Sequence, residues 1–270
     1  MTREEIHAMR ADDAKKHIEY IANKYNDYIE YSIEHTHSLN NADVKDVLEN
    51  PKDTFSCLVP LSTQDAIKSF CNDGSGKIAV LNFASYKNPG GGYVRGMMAQ
   101  EEAICSVSTL YNVLKEFYLW YESHKRTLNH GYYTNSALYS EDILFELSDE
   151  KYFCDVITCA APNLNHLIRY SKVTEEAYRV MEERIEFVFK VAVKMKADTL
   201  ILGAYGCGVF KNNSRFVAYV MKHFEHKYGG HFRKIIYAIP DSSSENYKAF
   251  EEIFNGDTRR LLLQLGSLGK

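Results

Sequence analysis

The chain has 270 residues, a length that suits one large domain or two small ones. It is 45% hydrophobic, 25% charged and 13% aromatic, which excludes a disordered or collagen-like chain. The net charge of -4 excludes the global basicity of a non-specific duplex binder, so any bound polyanion must be held by local backbone donors.

No apolar run approaches the roughly 20 residues of a membrane span. The first twenty residues contain no apolar stretch of the kind that marks a secretory signal. Cys57, Cys71, Cys105, Cys154, Cys159 and Cys207 form no C-x-x-C pair. They read as reduced thiols, which points to the cytoplasm.

Thr2-x-x-Glu5 is a capping-box pattern. Ala14, Ile18, Ile21, Tyr25 and Ile29 follow at helical spacing and predict a helix over 4–33. Residues 34–50 are polar and read as a connector with one short helix at 42–48. From residue 51 short apolar runs alternate with amphipathic stretches. The runs at 55–59, 77–84, 153–160, 199–204 and 234–239 read as buried strands. Helical periods occupy 62–72, 101–122, 174–197, 213–227 and 244–254. The clearest stripe is Ala177, Met181, Ile185, Val188, Ala192 and Met195. The stretch ALYSEDILFEL, within 128–150, has room for two edge strands, and a short helix is expected around Leu261, Leu262 and Leu263. Alternating strands and helices imply an α/β sheet covered on both faces.

Ligands of such sheets sit at the carboxyl ends of strands, where loops lead into helices. Two of these loops are unusual. The first, SYKNPGGGYVRGMMAQEEA, follows the run at 77–84 and contains Gly90, Gly91 and Gly92. Consecutive glycines let a ligand approach the main chain closely. Seven residues later Gln100, Glu101 and Glu102 open a helix. Acidic residues in a first helical turn also complement the helix dipole. Their combination with the glycine loop at a strand end favours a site. The second loop, GAYGCGVFKNNS, follows the run at 199–204. Its glycines expose N–H groups able to cradle a phosphate or pyrophosphate. Glycosidic cleavage needs a proton for the leaving oxygen and stabilisation of an oxocarbenium-like centre. Two adjacent glutamates repel as anions, so one keeps its proton nearer neutral pH and can serve as acid and then as base.

GGG, seven residues and then QEE resembles the signature of poly(ADP-ribose) glycohydrolases. The run VLNFASYKNPGGGYVRGMMAQEEAI is similar to the bacterial (microbial) type of that family. VITCAAPN and LILGAYGCGVFKN resemble its later segments, the second a pyrophosphate-binding loop of a macrodomain. The resemblance covers about 54–254. It implies a macrodomain-like mixed sheet flanked by helices on both faces, with a helical N-terminal extension. Residues 1–50 would be the accessory segment and 51–270 the catalytic domain. The implied activity is hydrolysis of ribose–ribose O-glycosidic bonds in poly(ADP-ribose), from chain ends, releasing ADP-ribose without a cofactor. On this resemblance Glu102 is the acid/base and Glu101 holds the ribose hydroxyls. Gly90, Gly91, Gly92 and Gln100 would line the ADP-ribose. Gly206, Cys207, Gly208, Val209 and Phe210 would form the diphosphate loop, with the Phe210 ring positioning the distal ribose. Asn88 is the expected ribose-binding asparagine, and Asn82 the alternative. Tyr86 stands where a smaller residue is expected and would alter the rim of the cleft.

The implied partners are poly(ADP-ribose) or an ADP-ribosylated protein, with no membrane and no sequence-specific nucleic acid. Two other readings remain open on the residues alone. One is a non-catalytic ADP-ribose reader. The other is a hydrolase of mono-ADP-ribosylated targets. His35-x-His37, His223-x-x-His226 and His231 lack clustered Cys or carboxylate ligands at zinc spacing, so no metal is expected. Cys207, without an adjacent base in sequence, reads as a small packed side chain. Tyr118, Tyr121, Tyr132 and Tyr133 read as surface and core packing rather than base-stacking platforms.

Overall fold

A computed structural model of the chain describes residues 1–71, 74, 76–165 and 175–256. The five apolar runs all become strands: β2 (Phe55–Val59), β3 (Ile78–Phe83), β5 (Glu150–Cys159), β6 (Thr199–Leu202) and β7 (Lys234–Ala238). With β1 (Thr36–Asn40) and β4 (Ser136–Leu147) they form one seven-stranded sheet in the order β1-β4-β5-β3-β6-β7-β2. Strands β5, β3, β6, β7 and β2 run parallel, and β4 is antiparallel to both β1 and β5.

Alternate residues of the central strands feed two cores, as the two-residue period of a strand requires. Ala79 and Leu81 of β3 pack with α7 (Glu175–Lys194), α8 (Ser214–Tyr228) and α9 (Glu245–Asn255). Ile78 and Val80 face the other way. They share a core with residues of α1 (Arg3–Lys24), α2 (Asn26–Glu34), α3 (Thr63–Phe70), α4 (Gln100–Cys105) and α5 (Leu110–Leu114). The sheet is therefore mixed and carries helices on both faces.

Several boundaries differ from the expectations above. The helix expected over 4–33 divides at Tyr25, whose φ of -130° and ψ of 30° are not helical. Its hydroxyl donates to Glu146 at 2.9 Å, which pins the break to β4. The polar connector holds strand β1 instead of a lone helix, and residues 41–46 form turns. Only Leu39 of β1 is buried, so its own hydrophobicity carries no strand signal. Pairing with β4 makes it a strand.

The helix expected over 101–122 is three: α4, α5 and α6 (Tyr118–Lys125). Between the first two, the Thr109 N–H donates to the Leu144 carbonyl and the Glu146 N–H to that of Val107. This hook onto β4 replaces helical bonds in a stretch of Ser, Val and Thr that favours helix weakly. The two edge strands expected in 137–147 are one twelve-residue strand, β4, lying second in the sheet. Its register shifts between Ser140 and Ile143. The helix expected around Leu261 lies outside the described residues, as do position 72 and position 174 at two predicted helix ends.

Candidate active site

The parallel strands β2, β3, β6 and β7 end on one side of the sheet, and a cavity of about 490 Å³ opens there. Its walls come from Ser62–Gln64 after β2, Phe83 at the end of β3, residues 98–100, residues 204–206 and 208–210, and residues 238–240 at the end of β7.

The glutamate pair stands beside this cavity at the start of α4. Glu102 is the third residue of the helix and reaches back, so that the N–H of Ala99 donates to its Oε2 at 2.9 Å. The Gly92 N–H donates to Oε1 at 2.8 Å. Glu101 turns toward β3. It accepts from the Ser85 N–H at 2.7 Å and from Asn82 Nδ2 at 3.3 Å. Both glutamates are buried, with 3% of Glu101 and 7% of Glu102 exposed. Burial pushes the Glu101 carboxyl up to about 8, and the neighbouring charge of Glu102 adds to the effect.

Gly91 explains why the loop is glycine. Its φ is +63°, and a Cβ there would lie 2.6 Å from Glu102 Oε1 and 2.7 Å from Glu101 Oε2. A side chain would displace both carboxyls. Gly92 and Gly90 are similarly crowded, by Met97 and by Tyr111. The loop is also held from behind. Gly96 packs against α1, where a Cβ would meet the His7 carbonyl at 2.0 Å, and the Tyr93 hydroxyl bonds His17 Nδ1 at 2.9 Å.

Gln100 does not project freely into the cavity. It accepts from the Phe83 N–H at 2.8 Å and donates to the Leu81 carbonyl at 2.9 Å, which stitches α4 to β3. The Asn88 side chain bonds nothing among the described residues, while its backbone carbonyl accepts from Gly91. Asn82, by contrast, is fully buried and spends its amide on Glu101 and Thr158. It interrupts the apolar run IAVLNF, and that interruption is the signal by which a positioning role was legible.

The second loop has a regular division of labour. The carbonyls of Ala204, Gly206, Gly208 and Phe210 all accept hydrogen bonds from within the fold. Asn212 adds a side-chain bond to the Gly206 carbonyl at 3.0 Å. The N–H groups of Gly206, Gly208, Val209 and Phe210 meet no acceptor among the described residues. A segment whose carbonyls are spent on the fold and whose N–H groups meet no described acceptor can take an anion. The Cys207 N–H is spent on Ala204, and its thiol, pushed up to about 12 by burial, packs against the core. Phe210 borders the cavity and meets Tyr133 edge-on at 6.3 Å.

Tyr86 is not at the rim. It is 2% exposed, stacks on Tyr133 at 4.1 Å and bonds Thr127 and Thr134. Its size fills an interior space that the linear sequence does not show. The far wall of the cavity, formed by Ser62, Gln64, Ile239, Pro240, Ser244 and Asn246, was not anticipated either. The ends of the runs at 55–59 and 234–239 could have marked it, since ligands gather at the carboxyl ends of parallel strands.

The fold and the site thus define an α/β protein with a cavity at the carboxyl ends of its parallel strands, bordered by a glycine loop, and with a buried pair of carboxyl groups at the start of α4. The family model for the microbial-type PARG (poly(ADP-ribose) glycohydrolase) catalytic domain matches residues 8–146, just over half of the chain, and the chain belongs to that family. Among solved structures, the poly(ADP-ribose) glycohydrolase of Thermomonospora curvata bound to the inhibitor ADP-HPD is 25% identical, with a TM-score of 0.80. That alignment covers 91% of this chain and 99% of the other. The Deinococcus radiodurans poly(ADP-ribose) glycohydrolase in complex with ADP-ribose is 26% identical, with a TM-score of 0.75, covering 84% and 97% of the two chains. No curated protein matches the chain.

Proposed function

We propose that this chain hydrolyses the ribose–ribose O-glycosidic bonds of poly(ADP-ribose) from chain ends and releases ADP-ribose. The observation that carries this reading is the meeting of Glu101 and Glu102 at Gly91, beside a cavity lined by a loop with four N–H groups that meet no acceptor among the described residues. The Deinococcus relative holds ADP-ribose and the Thermomonospora relative holds ADP-HPD, which supports placing the same ligand class in this cleft.

In this reading the free N–H groups of Gly206, Gly208, Val209 and Phe210 take the diphosphate. Phe210 lies against the distal ribose, with Asn88 and the Gly90 to Gly92 backbone beside it. Glu101 holds the ribose hydroxyls, and its proton persists to about pH 8 because the carboxyl is buried. Glu102 faces the scissile bond. In its protonated form it gives that proton to the leaving oxygen, and the resulting carboxylate then takes a proton from the water that attacks the ribose centre. Two backbone N–H groups fix its orientation, so the carboxyl does not have to be ordered during the reaction. A cytoplasmic location accords with six unpaired cysteines. Among the described residues no helix is long and apolar enough to cross a membrane.

The deciding experiment measures free ADP-ribose released from purified poly(ADP-ribose) by wild type and by Glu102→Gln, with ADP-ribose binding followed in parallel. Release by wild type alone supports the reading. Binding by both with release by neither would make the chain a reader or a hydrolase of mono-ADP-ribosylated targets. Release of oligomers before monomer would overturn the chain-end preference.

A further inference from the structure

Arg184, on α7, is 1% exposed and among the largest fully buried side chains. Its hydrogen bonds run to neutral oxygens. Nε donates to Asn135 Oδ1 at 2.6 Å, Nη2 to the Tyr132 carbonyl at 3.2 Å, and Nη1 to the Ala160 carbonyl. No carboxylate among the described residues pairs with it. The titratable groups that feel its charge are Tyr133, Tyr205, Cys159 and His124. Burial raises the first three and pushes His124 down to about 4, so near pH 7 all four are neutral. A guanidinium stays charged in any protein interior. Here it is a buried cation without a counter-charge, an arrangement that costs stability.

Its position supplies the missing partner. Ala160, which it bonds, adjoins Ala161 on the cavity wall. The Ala161 methyl lies 2.6 Å from the position of a Cβ at Gly206. Tyr205, fully buried, joins Arg184 to the start of the same loop. The cation is therefore linked, through Ala160–Ala161 and through Tyr205, to the start of the loop at residues 206–210, and it is screened from water. We infer that Arg184 is the fixed counter-charge for the diphosphate of the bound ligand, a positioning residue that strengthens binding through the loop without touching the ligand. This rests on the reading that the cleft holds ADP-ribose. Charges separated by protein are screened less than charges separated by salt solution.

A purely structural pin would tie α7 to residues 132–135 and to the end of β5 whatever its charge. Calorimetric titration with ADP-ribose and with adenosine, which lacks the diphosphate, separates the two roles. Arg184→Gln should weaken ADP-ribose binding by about tenfold or more while adenosine binding changes by less than about twofold. Arg184→Lys keeps the charge and should keep the wild-type ratio of the two affinities. Equal losses for both ligands, or no loss for either, would overturn the inference. If Arg184→Gln does not fold, the lysine variant decides alone: a retained ratio supports the counter-charge and a collapsed ratio refutes it. A wild-type protein that fails to bind ADP-ribose would overturn the functional reading first and this inference with it.

Discussion

Glu102 and Glu101 are neighbours in sequence yet differ in surroundings. Glu102 is held by the N–H groups of Gly92 and Ala99, whereas Glu101 points at Ser85 and Asn82 on the sheet side. Glu102→Gln keeps the shape and removes the proton. It should lower turnover by about 10²- to 10⁴-fold, a typical size for a lost acid/base group, with ADP-ribose affinity nearly unchanged in equilibrium binding. Glu101 gives a pH signature. Its folded value, about 8, lies above the ordinary 4.5, so the folded state binds more protons than the unfolded one between these values. The corresponding stability is complete below 4.5 and is lost as the pH rises through 8. Urea unfolding should therefore show stability falling across this window in wild type, and a flatter profile in Glu101→Gln. Parallel profiles for the two proteins would count against a protonated Glu101. The presence of the pair was legible in QEE, but the raised value of Glu101 was not. It comes from burial, and burial is a property of the packed loop and strand.

At the scale of elements, the glycines of the two loops differ. In the first they make room: Gly91 has φ +63° and lies against both carboxyls. In the second Gly206 also makes room, with φ +72° and a Cβ position 2.6 Å from Ala161, whereas Gly208 faces open space, with nothing within 4 Å of a Cβ. Gly91→Ala should abolish turnover and cost roughly 1–3 kcal/mol of stability through backbone strain. Gly208→Ala retains the N–H and should fold normally and bind ADP-ribose within about threefold of wild type, since loop N–H groups rather than absent side chains hold the anion. Paired thermal melts and binding titrations would check both. Loss of binding in Gly208→Ala would show that the ligand needs the space as well as the N–H. Both loops were visible as glycine clusters after apolar runs. Missed were Tyr86 and the far wall, because their places depend on which distant segments pack together. The stack of Tyr86 on Tyr133 joins residues 47 positions apart.

For the whole molecule, the net charge of -4 and the free N–H groups predict a particular salt response. A polyanion held by exposed Lys and Arg loses affinity steeply with salt through counterion release. Here ADP-ribose affinity should change by less than about fivefold between 50 and 300 mM NaCl, because the donors are backbone groups and the nearby cation is buried. A steep slope would point to surface lysines in their place. The N-terminal segment also belongs to this scale. Ala14, Ile21, Tyr25 and Ile29 are buried in the same core as the middle of β3, and β1 is one of the two edge strands of the seven-stranded sheet. A variant lacking residues 1–50 should be insoluble or molten, whereas a separable accessory segment would leave a cooperative melt. Circular dichroism of that truncation tests the boundary proposed near residue 50.

The sequence by itself determined the α/β alternation, the places of five strands, the two glycine loops and the family, but it read the run at 55–59 as buried where β2 is an edge strand with no buried residue. These are written in short-range patterns: apolar runs, helical spacing, glycine triplets and adjacent glutamates. Only the tertiary structure decided that a polar connector becomes an edge strand, that one long helix breaks into three, and that Glu101 is the carboxyl driven toward neutrality. It alone buried Arg184 against the Ala160 carbonyl, next to Ala161 on the cavity wall. The physical reason is common to these cases. Hydrogen-bond partners for β1 and for residues 107–109 come from β4, far along the chain. Burial of a charge depends on which segments fold over it, and no local pattern carries that information.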